Sequence, residues 1–169
     1  MAETAPQDRL QPFLLQRLKD DQPDARQESR ERRVISPAEY RRTLLEDLTA
    51  LLNSGNHVPA EQLARHPEAA KSVINFGVTE LAGTTASGKT GDLVAKMVQN
   101  AIALFEPRVL KQTLQVRAVD VVDAAGSHVV ELEIRGEIWN VPAPESLYVR
   151  TAVDLETGRV ELRDPSFGG

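Results

Sequence analysis

The sequence contains no cysteine, which excludes disulfides, thiol nucleophiles and thiolate metal sites and suits a reducing compartment. No run of about 18 apolar residues occurs, so no segment reads as a membrane-spanning helix. The stretch from Met1 to Arg9 is polar with no apolar segment behind it, and no secretory signal is expected. These absences point to the cytoplasm. Phe, Tyr and Trp together make only 4% of the chain, too few for the stacking platform on which sugars or single-stranded bases lie. A surplus of positive charge is also missing. Lys and Arg number 20 against 25 Asp and Glu, for a net charge of -5, and the basic residues are interspersed with acidic ones, so nucleic acid is not an expected partner.

What is present is enough apolar material for a core. Hydrophobic residues make 41% of 169 residues, which predicts one domain of ordinary size plus a tail. The boundaries fall at 1–34 for a polar N-terminal tail, 35–165 for the domain and 166–169 for a C-terminal tail. Within the first tail, Leu10, Phe13, Leu14, Leu15 and Leu18 sit at helical spacing. They read either as a short docking helix or as a frayed terminus. Lys19 to Arg33 carries no large apolar residue, so it reads as a linker that cannot offset its ordering entropy.

Ser36-Pro37-Ala38-Glu39 places a capping serine, a proline at the first helical position and a glutamate that can close a capping box. A helix is predicted from there, with Tyr40, Leu44, Leu45, Leu48, Leu51 and Leu52 on one face. Arg41, Arg42, Glu46 and Asp47 fall mostly on the other, and Gly55 offers a left-handed stop. Between Pro59 and Gly91 the pattern is irregular, with a short helix near Glu68 to Val73 and a loop from Gly77 to Gly91. A second long helix is predicted from about Asp92 to Phe105, since Leu93, Val94, Met97, Val98, Ala101, Ile102 and Phe105 form an apolar stripe. It ends at Glu106, because Pro107 disfavours helical conformation in the residue before it.

Beyond Pro107 the period becomes two. Val130, Leu132 and Ile134 alternate with Glu131, Glu133 and Arg135 in the strand His128 to Ile138. Gln112 to Val122, Leu147 to Leu155 and Arg159 to Arg163 also read as strands. The connections Asp123-Ala124-Ala125-Gly126 and Glu156-Thr157-Gly158 are of hairpin length, so neighbouring strands should be antiparallel. The predicted fold class is α+β, with N-terminal helices packed on a small antiparallel sheet. At least one of the last two strands should be an edge open to a partner, with a proline at Val160 as its test.

Candidate chemistry is sparse. Gly83 to Thr90 satisfies the G-x-x-x-x-G-K-[ST] pattern of a phosphate-cradling loop, but such a loop follows a buried strand in a parallel βαβ sheet. Asn75 to Ala82 is broken by polar residues and glycine, and hairpins follow, so no nucleotide is expected. His57, His66 and His128 are scattered without metal-ligand spacing, and no metal or cofactor is expected. Glu106 paired with Asp120 or Glu137 is the carboxylate combination available for glycoside cleavage, and solvated or ion-paired carboxylates are the favoured reading of it.

Glu106-Pro107-Arg108 differs in kind. Proline fixes the backbone at a helix-to-strand corner, and Glu106 lies at the wrong end of a helix dipole for an anion unless a cation answers it. Either Arg108 answers it within the chain, or the pair is held out to a partner. In the second case, loss of either charge abolishes partner capture and changes melting only slightly.

Taken together, Leu14-Leu15-Gln16-Arg17-Leu18, the helix with Arg41-Arg42 and Leu48 to Asn53, Ser72-Val73-Ile74-Asn75-Phe76-Gly77, Phe105-Glu106-Pro107-Arg108 and Asp154-Leu155-Glu156-Thr157-Gly158-Arg159 resemble a known pattern in order and spacing. It is that of the lysozyme-like baseplate wedge family shared by contractile phage tails and type VI secretion systems, and in particular of its TssE members. The resemblance covers about Leu10 to Arg163, with the Glu-Pro-Arg corner as its most specific element. It implies a non-enzymatic cytoplasmic wedge subunit, at the baseplate on the inner face of the inner membrane. Such a subunit binds TssF and TssG and engages sheath subunits; the corner Glu106, Pro107 and Arg108 is the candidate for partner binding on the strength of its own placement beside the proline. The Gly83 to Gly91 loop departs from the pattern, being longer and richer in small residues. The alternative from a different class is a peptidoglycan-cleaving lysozyme-like enzyme.

Overall fold

A computed structural model describes residues 10–18, 35–79, 88–124, 127–140 and 142–163. The whole linker 19–33, most of the Gly83 to Thr90 pattern, the turn residues Ala125 and Gly126, and the tail 166–169 lie outside the described residues.

Among the described residues, five α-helices precede four strands: α1 (Leu14–Leu18), α2 (Pro37–Leu52), α3 (Ala60–Arg65), α4 (Pro67–Ala70), α5 (Gly88–Phe105), then β1 (Gln115–Ala124), β2 (Ser127–Ile138), β3 (Glu145–Asp154) and β4 (Val160–Arg163). A 3-10 turn, Val73–Asn75, lies between α4 and α5. The fold is α+β, and the sheet is antiparallel with strand order β1-β2-β3-β4. Sequential order follows from hairpin connections, which join neighbours without a crossover.

The Ser36 hydroxyl accepts from the Glu39 amide at 3.1 Å and Pro37 opens α2, which satisfies one of the helix's orphan donors. Leu44, Leu48, Leu51 and Leu52 of α2 join Val94, Val98, Ala101 and Ile102 of α5 in one core with Val130, Leu132, Ile134, Val149 and Val153 of the sheet. Each such side chain contributes about 1.5 to 3 kcal/mol when fully buried. α5 lies on one face of the sheet against β1 and β2, while α2 packs beside α5 and touches β4.

Several sequence expectations need correction. Gly55 is not the left-handed stop of α2. Asn53 is the C-cap, and the positive backbone angles fall at Gly77 (φ 117) and Gly158 (φ 70). Arg41 is not on a solvated face: it is 7% exposed, donating to Glu145 Oε1 at 3.0 Å and to the Ser146 carbonyl at 2.8 Å. α2 is covered on more than its apolar side because the start of β3 reaches it. α5 begins at Gly88, inside the stretch expected to be loop, since Thr90 and Gly91 are buried with the helix; tertiary packing overrides the weak propensity of glycine and threonine. α3 was not anticipated, and the single short helix expected at 68–73 is instead α4 followed by the 3-10 turn. β1 starts at Gln115 rather than Gln112, because Thr113 turns back to the Leu110 carbonyl at 2.9 Å.

Of the last two strands, β3 pairs on both sides and β4 is an edge, as expected of at least one of them. Val160 is not a free edge position. Asn53, leaving α2, accepts from the Val160 amide at 3.0 Å and donates to its carbonyl at 2.9 Å, so the side-chain amide already occupies that position as a partner strand would. A proline there would break this junction and disturb a residue 2% exposed.

The β3–β4 turn is held by Asp154, whose Oδ1 accepts from the amides of Glu156 at 2.8 Å and Thr157 at 3.1 Å. These bonds, Thr157 first, hold its carboxyl below the ordinary 3.8. A depressed folded pKa stabilises above the unfolded value and loses that stabilisation as pH falls through the folded one. The stability difference between wild type and Asp154→Asn is therefore expected to be present above about pH 4 and to vanish on acidification below it. Urea titrations across that range check it; a pH-independent difference would assign the turn's stability to hydrogen bonding alone.

Candidate functional site

α5 carries its ladder to Glu106, whose amide donates to the Ile102 carbonyl at 2.9 Å. Pro107 cannot extend it, and the chain folds back so that Arg108 meets Glu106. The Arg108 amide donates to Glu106 Oε1 at 3.1 Å, Nε to the same oxygen at 2.5 Å, and Nη2 to Oε2. The same Nη2 donates to Asp47 Oδ2 on α2 at 2.7 Å. The cation that the helix terminus requires is thus supplied within the chain. One guanidinium serves two carboxylates, a geometry that its planar fork permits and an ammonium does not.

The side chains of Glu106 and Arg108 are 6% and 11% exposed, whereas Pro107 is exposed. Burial works to lower the Arg108 pKa, but the bonds and charges of Glu106 and Asp47 outweigh it and hold the group above its ordinary value. The pair is therefore an internal brace at the end of α5, with Asp47 joining it to α2. A partner is not needed to bury these charges, so removing either one is expected to lower the melting temperature of the isolated chain by more than a slight shift.

The N-terminal segment lies over the corner. The Phe13 ring has the Arg108 guanidinium 4.2 Å from its centroid and the Tyr40 ring at 4.8 Å. Leu10, Ile35 and Tyr40 form a second small core with Phe13 against it, and the Ile35 amide donates to the Leu10 carbonyl at 3.0 Å. Leu10 and Phe13, ahead of α1, thus contact the rest of the chain, while Leu14 and Leu18 of α1 are exposed. Burial pushes the Tyr40 phenol up, with Arg108 opposing and Glu106 adding to the shift. The Tyr40 hydroxyl and Arg108 Nη1 are buried without a hydrogen-bond partner among the described residues.

Sequence reasoning missed Asp47, assigned to a solvated face, and the contact of Phe13 with Arg108. The available signal was chemical: an arginine with five donors beside one glutamate has capacity for a second carboxylate. Nothing in the spacing says that α2 supplies it. Glu106 is buried at the corner, whereas Asp120 and Glu137 are exposed residues of the sheet. His57 and His66 are exposed and His128 is half-buried on β2, on separate elements. No group of three or more His, Cys, Asp or Glu suited to a metal ion occurs among the described residues, and no described helix is long and apolar enough to cross a membrane.

Beside the corner, Phe76 packs edge-on to Phe105 at 5.4 Å. Behind it, Gly77 and Val78 clasp the end of α2: the Val78 amide donates to the Ser54 carbonyl at 2.8 Å and the Asn56 amide to the Val78 carbonyl at 3.1 Å. This clasp holds out Val73 and Ile74, 82% and 74% exposed.

These elements, two packed helices, a brace at a proline corner and a meander sheet, define a structural module whose prominent features are surfaces and junctions. The family model of baseplate wedge protein gp25 matches residues 38–143, a span that runs from α2 through the corner and the first two strands. The chain belongs to the baseplate wedge family. Comparison with curated proteins and with solved structures gives no match. Family membership supports a structural role in the baseplate of a contractile machine, in contact with other baseplate subunits.

Proposed function

We propose that this chain is a TssE-type wedge subunit of a type VI secretion baseplate, working without catalysis at the cytoplasmic face of the inner membrane. It binds TssF- and TssG-like wedge proteins and starts assembly of the contractile sheath. Residues 35–165 form the wedge domain, flanked by the tails 1–34 and 166–169. The observation that carries this reading is the Glu106-Pro107-Arg108 corner in a chain of the wedge family. It is rigid, held from behind by Asp47, and exposes Pro107 at its tip. The corner positions the surface that TssF and TssG engage.

Glu106→Gln and Arg108→Lys keep most of the packing volume but remove a charge or the guanidinium fork. Each is expected to lose capture of the TssF–TssG complex when assayed at a temperature where circular dichroism shows the variant folded. Full capture by folded variants would withdraw the corner from the interface.

Sheath subunits dock on a strand edge. In an antiparallel ladder alternate residues face outward; at the β4 edge Val160 is taken by Asn53 and Leu162 is the next outward position. Leu162→Pro is expected to block sheath nucleation, while Leu162→Ala, which trims the same side chain but keeps the amide, permits it. Equal nucleation by both would exclude this edge.

A further inference from the structure

Phe13 covers the side chain on which the corner depends. Its ring lies under the Arg108 guanidinium at 4.2 Å and meets the Tyr40 ring at 4.8 Å. At this contact Arg108 Nη1 and the Tyr40 hydroxyl are shut away from water with no hydrogen-bond partner among the described residues. Tyr40 is 1% exposed and the Arg108 side chain 11%. The other guanidinium nitrogens are engaged by Glu106 and Asp47, so Nη1 is the unused arm of the fork.

A buried donor without an acceptor forfeits its bond to water and gains nothing in exchange, and the loss is larger on a charged group. The covering segment brings no acceptor to either atom: Phe13 offers a ring face and Leu10 an aliphatic chain. What holds the segment down is modest. The Ile35 amide donates to the Leu10 carbonyl at 3.0 Å, Gln16 Nε2 donates to the Thr43 hydroxyl, and Leu10 is buried beside Ile35 and Tyr40. Past Phe13 the apolar side chains face water, with Leu14 70% and Leu18 71% exposed. The closed arrangement therefore hides polar groups that it does not satisfy, and it does so with few contacts.

We propose that residues 10–18 are an exchangeable cover, and that the surface beneath them docks an apolar segment of another protein that brings a carbonyl oxygen to Arg108 Nη1 and the Tyr40 hydroxyl. The occupant now seated shows the shape that fits, since Leu10 and Phe13 fill the apolar part. The orphaned atoms show what it lacks. The acceptor is uncharged, because Glu106 and Asp47 already place two carboxylates on one guanidinium and a third would be repelled by both. A partner reaches Arg108 only when the cover lifts, so the segment competes with docking. This rests on the reading of the chain as a wedge subunit that TssF and TssG engage at the corner, and exchange of the cover is how a buried guanidinium comes to take part.

The test follows hydrogen exchange at the Ile35 amide of the full chain, whose bond to Leu10 closes with the cover, beside capture of the purified TssF–TssG complex. In the wild type this amide is expected to exchange about tenfold or more faster than the β2–β3 ladder. Phe13→Ala should speed it by about tenfold or more and tighten capture by a similar factor, because apparent affinity scales with the open fraction. Tyr40→Phe removes an unpaired hydroxyl and should act in the opposite sense, slowing exchange and weakening capture by about twofold or more. Faster exchange in Tyr40→Phe would show that the hydroxyl is satisfied where it lies. Ile35 exchanging only together with the ladder would show a fixed segment, and capture unchanged or weaker in Phe13→Ala would show that nothing is displaced; each of these overturns the proposal. Exchange that shifts as expected while none of the three chains captures the complex would overturn TssF and TssG as the partners and support the cover alone.

Discussion

Replacing Arg108 with alanine is expected to destabilise the isolated chain by about 3 to 5 kcal/mol, because Glu106 is left buried without its cation. For a domain of this size that corresponds to a fall in melting temperature of about 10 °C or more. Glu106→Ala should cost a similar amount, since the guanidinium, 11% exposed, then keeps only Asp47, which is 41% exposed and contributes as a surface partner. Asp47→Ala alone should therefore cost no more than about 1 kcal/mol. The double variant Glu106→Ala, Arg108→Ala should lose less than the sum of the two singles, since both halves of one buried pair are removed together. Additive losses by chemical denaturation would show that the two residues stabilise the fold independently, and the brace would then be misread. A slight change in either single variant would have the same consequence.

The second large effect belongs to Gly77→Ala. A Cβ at this position would stand 2.2 Å from the Ser54 carbonyl oxygen and 2.8 Å from its carbon, at φ 117. Both contacts are backbone, so no rotamer change relieves them. The same Ser54 oxygen accepts the Val78 amide, so relief means opening the clasp at the end of α2. The expected cost exceeds the 1 to 3 kcal/mol, or about that, of the backbone conformation alone. Gly55→Ala is the matched control, since its nearest neighbour would be the His57 side chain at 3.6 Å. If the two variants unfold at the same urea concentration, the clasp is not what fixes this loop.

Much of the architecture was legible. Ser36-Pro37 marks the start of α2 by local chemistry, Pro107 ends α5 for a reason visible in one residue, and alternation along Val130, Leu132 and Ile134 shows which side of β2 is buried. The hairpin turns gave the antiparallel order. What stayed hidden depended on distant contacts. Arg41 reads as a solvated residue until β3 is brought to it. Gly55 and Gly77 are equally plausible left-handed positions in sequence, and the approach of Ser54 decides between them. At the site, the sequence exposed the corner and its charges but not their direction. Asp47 and Arg108 are 61 positions apart, and no periodicity links them. The P-loop pattern shows the converse, a complete motif without its context; its last residues open α5, and the sheet downstream is an antiparallel meander.

The junction of Asn53 with Val160 also bears on how the chain reaches its native state. Strand neighbours in the meander are joined by short turns, whereas this amide reaches a residue 107 positions away. Closing a loop of that length costs about 4 kcal/mol of chain entropy, and it is repaid only once α2 and β4 have each found α5 and the sheet. The hairpins and α5 are therefore free to form a nucleus from nearby sequence, with α2 arriving afterwards and Asn53 fastening it. Hydrogen exchange should show this order in reverse, with the amide of Val160 opening together with the end of α2 while the β2–β3 ladder stays protected.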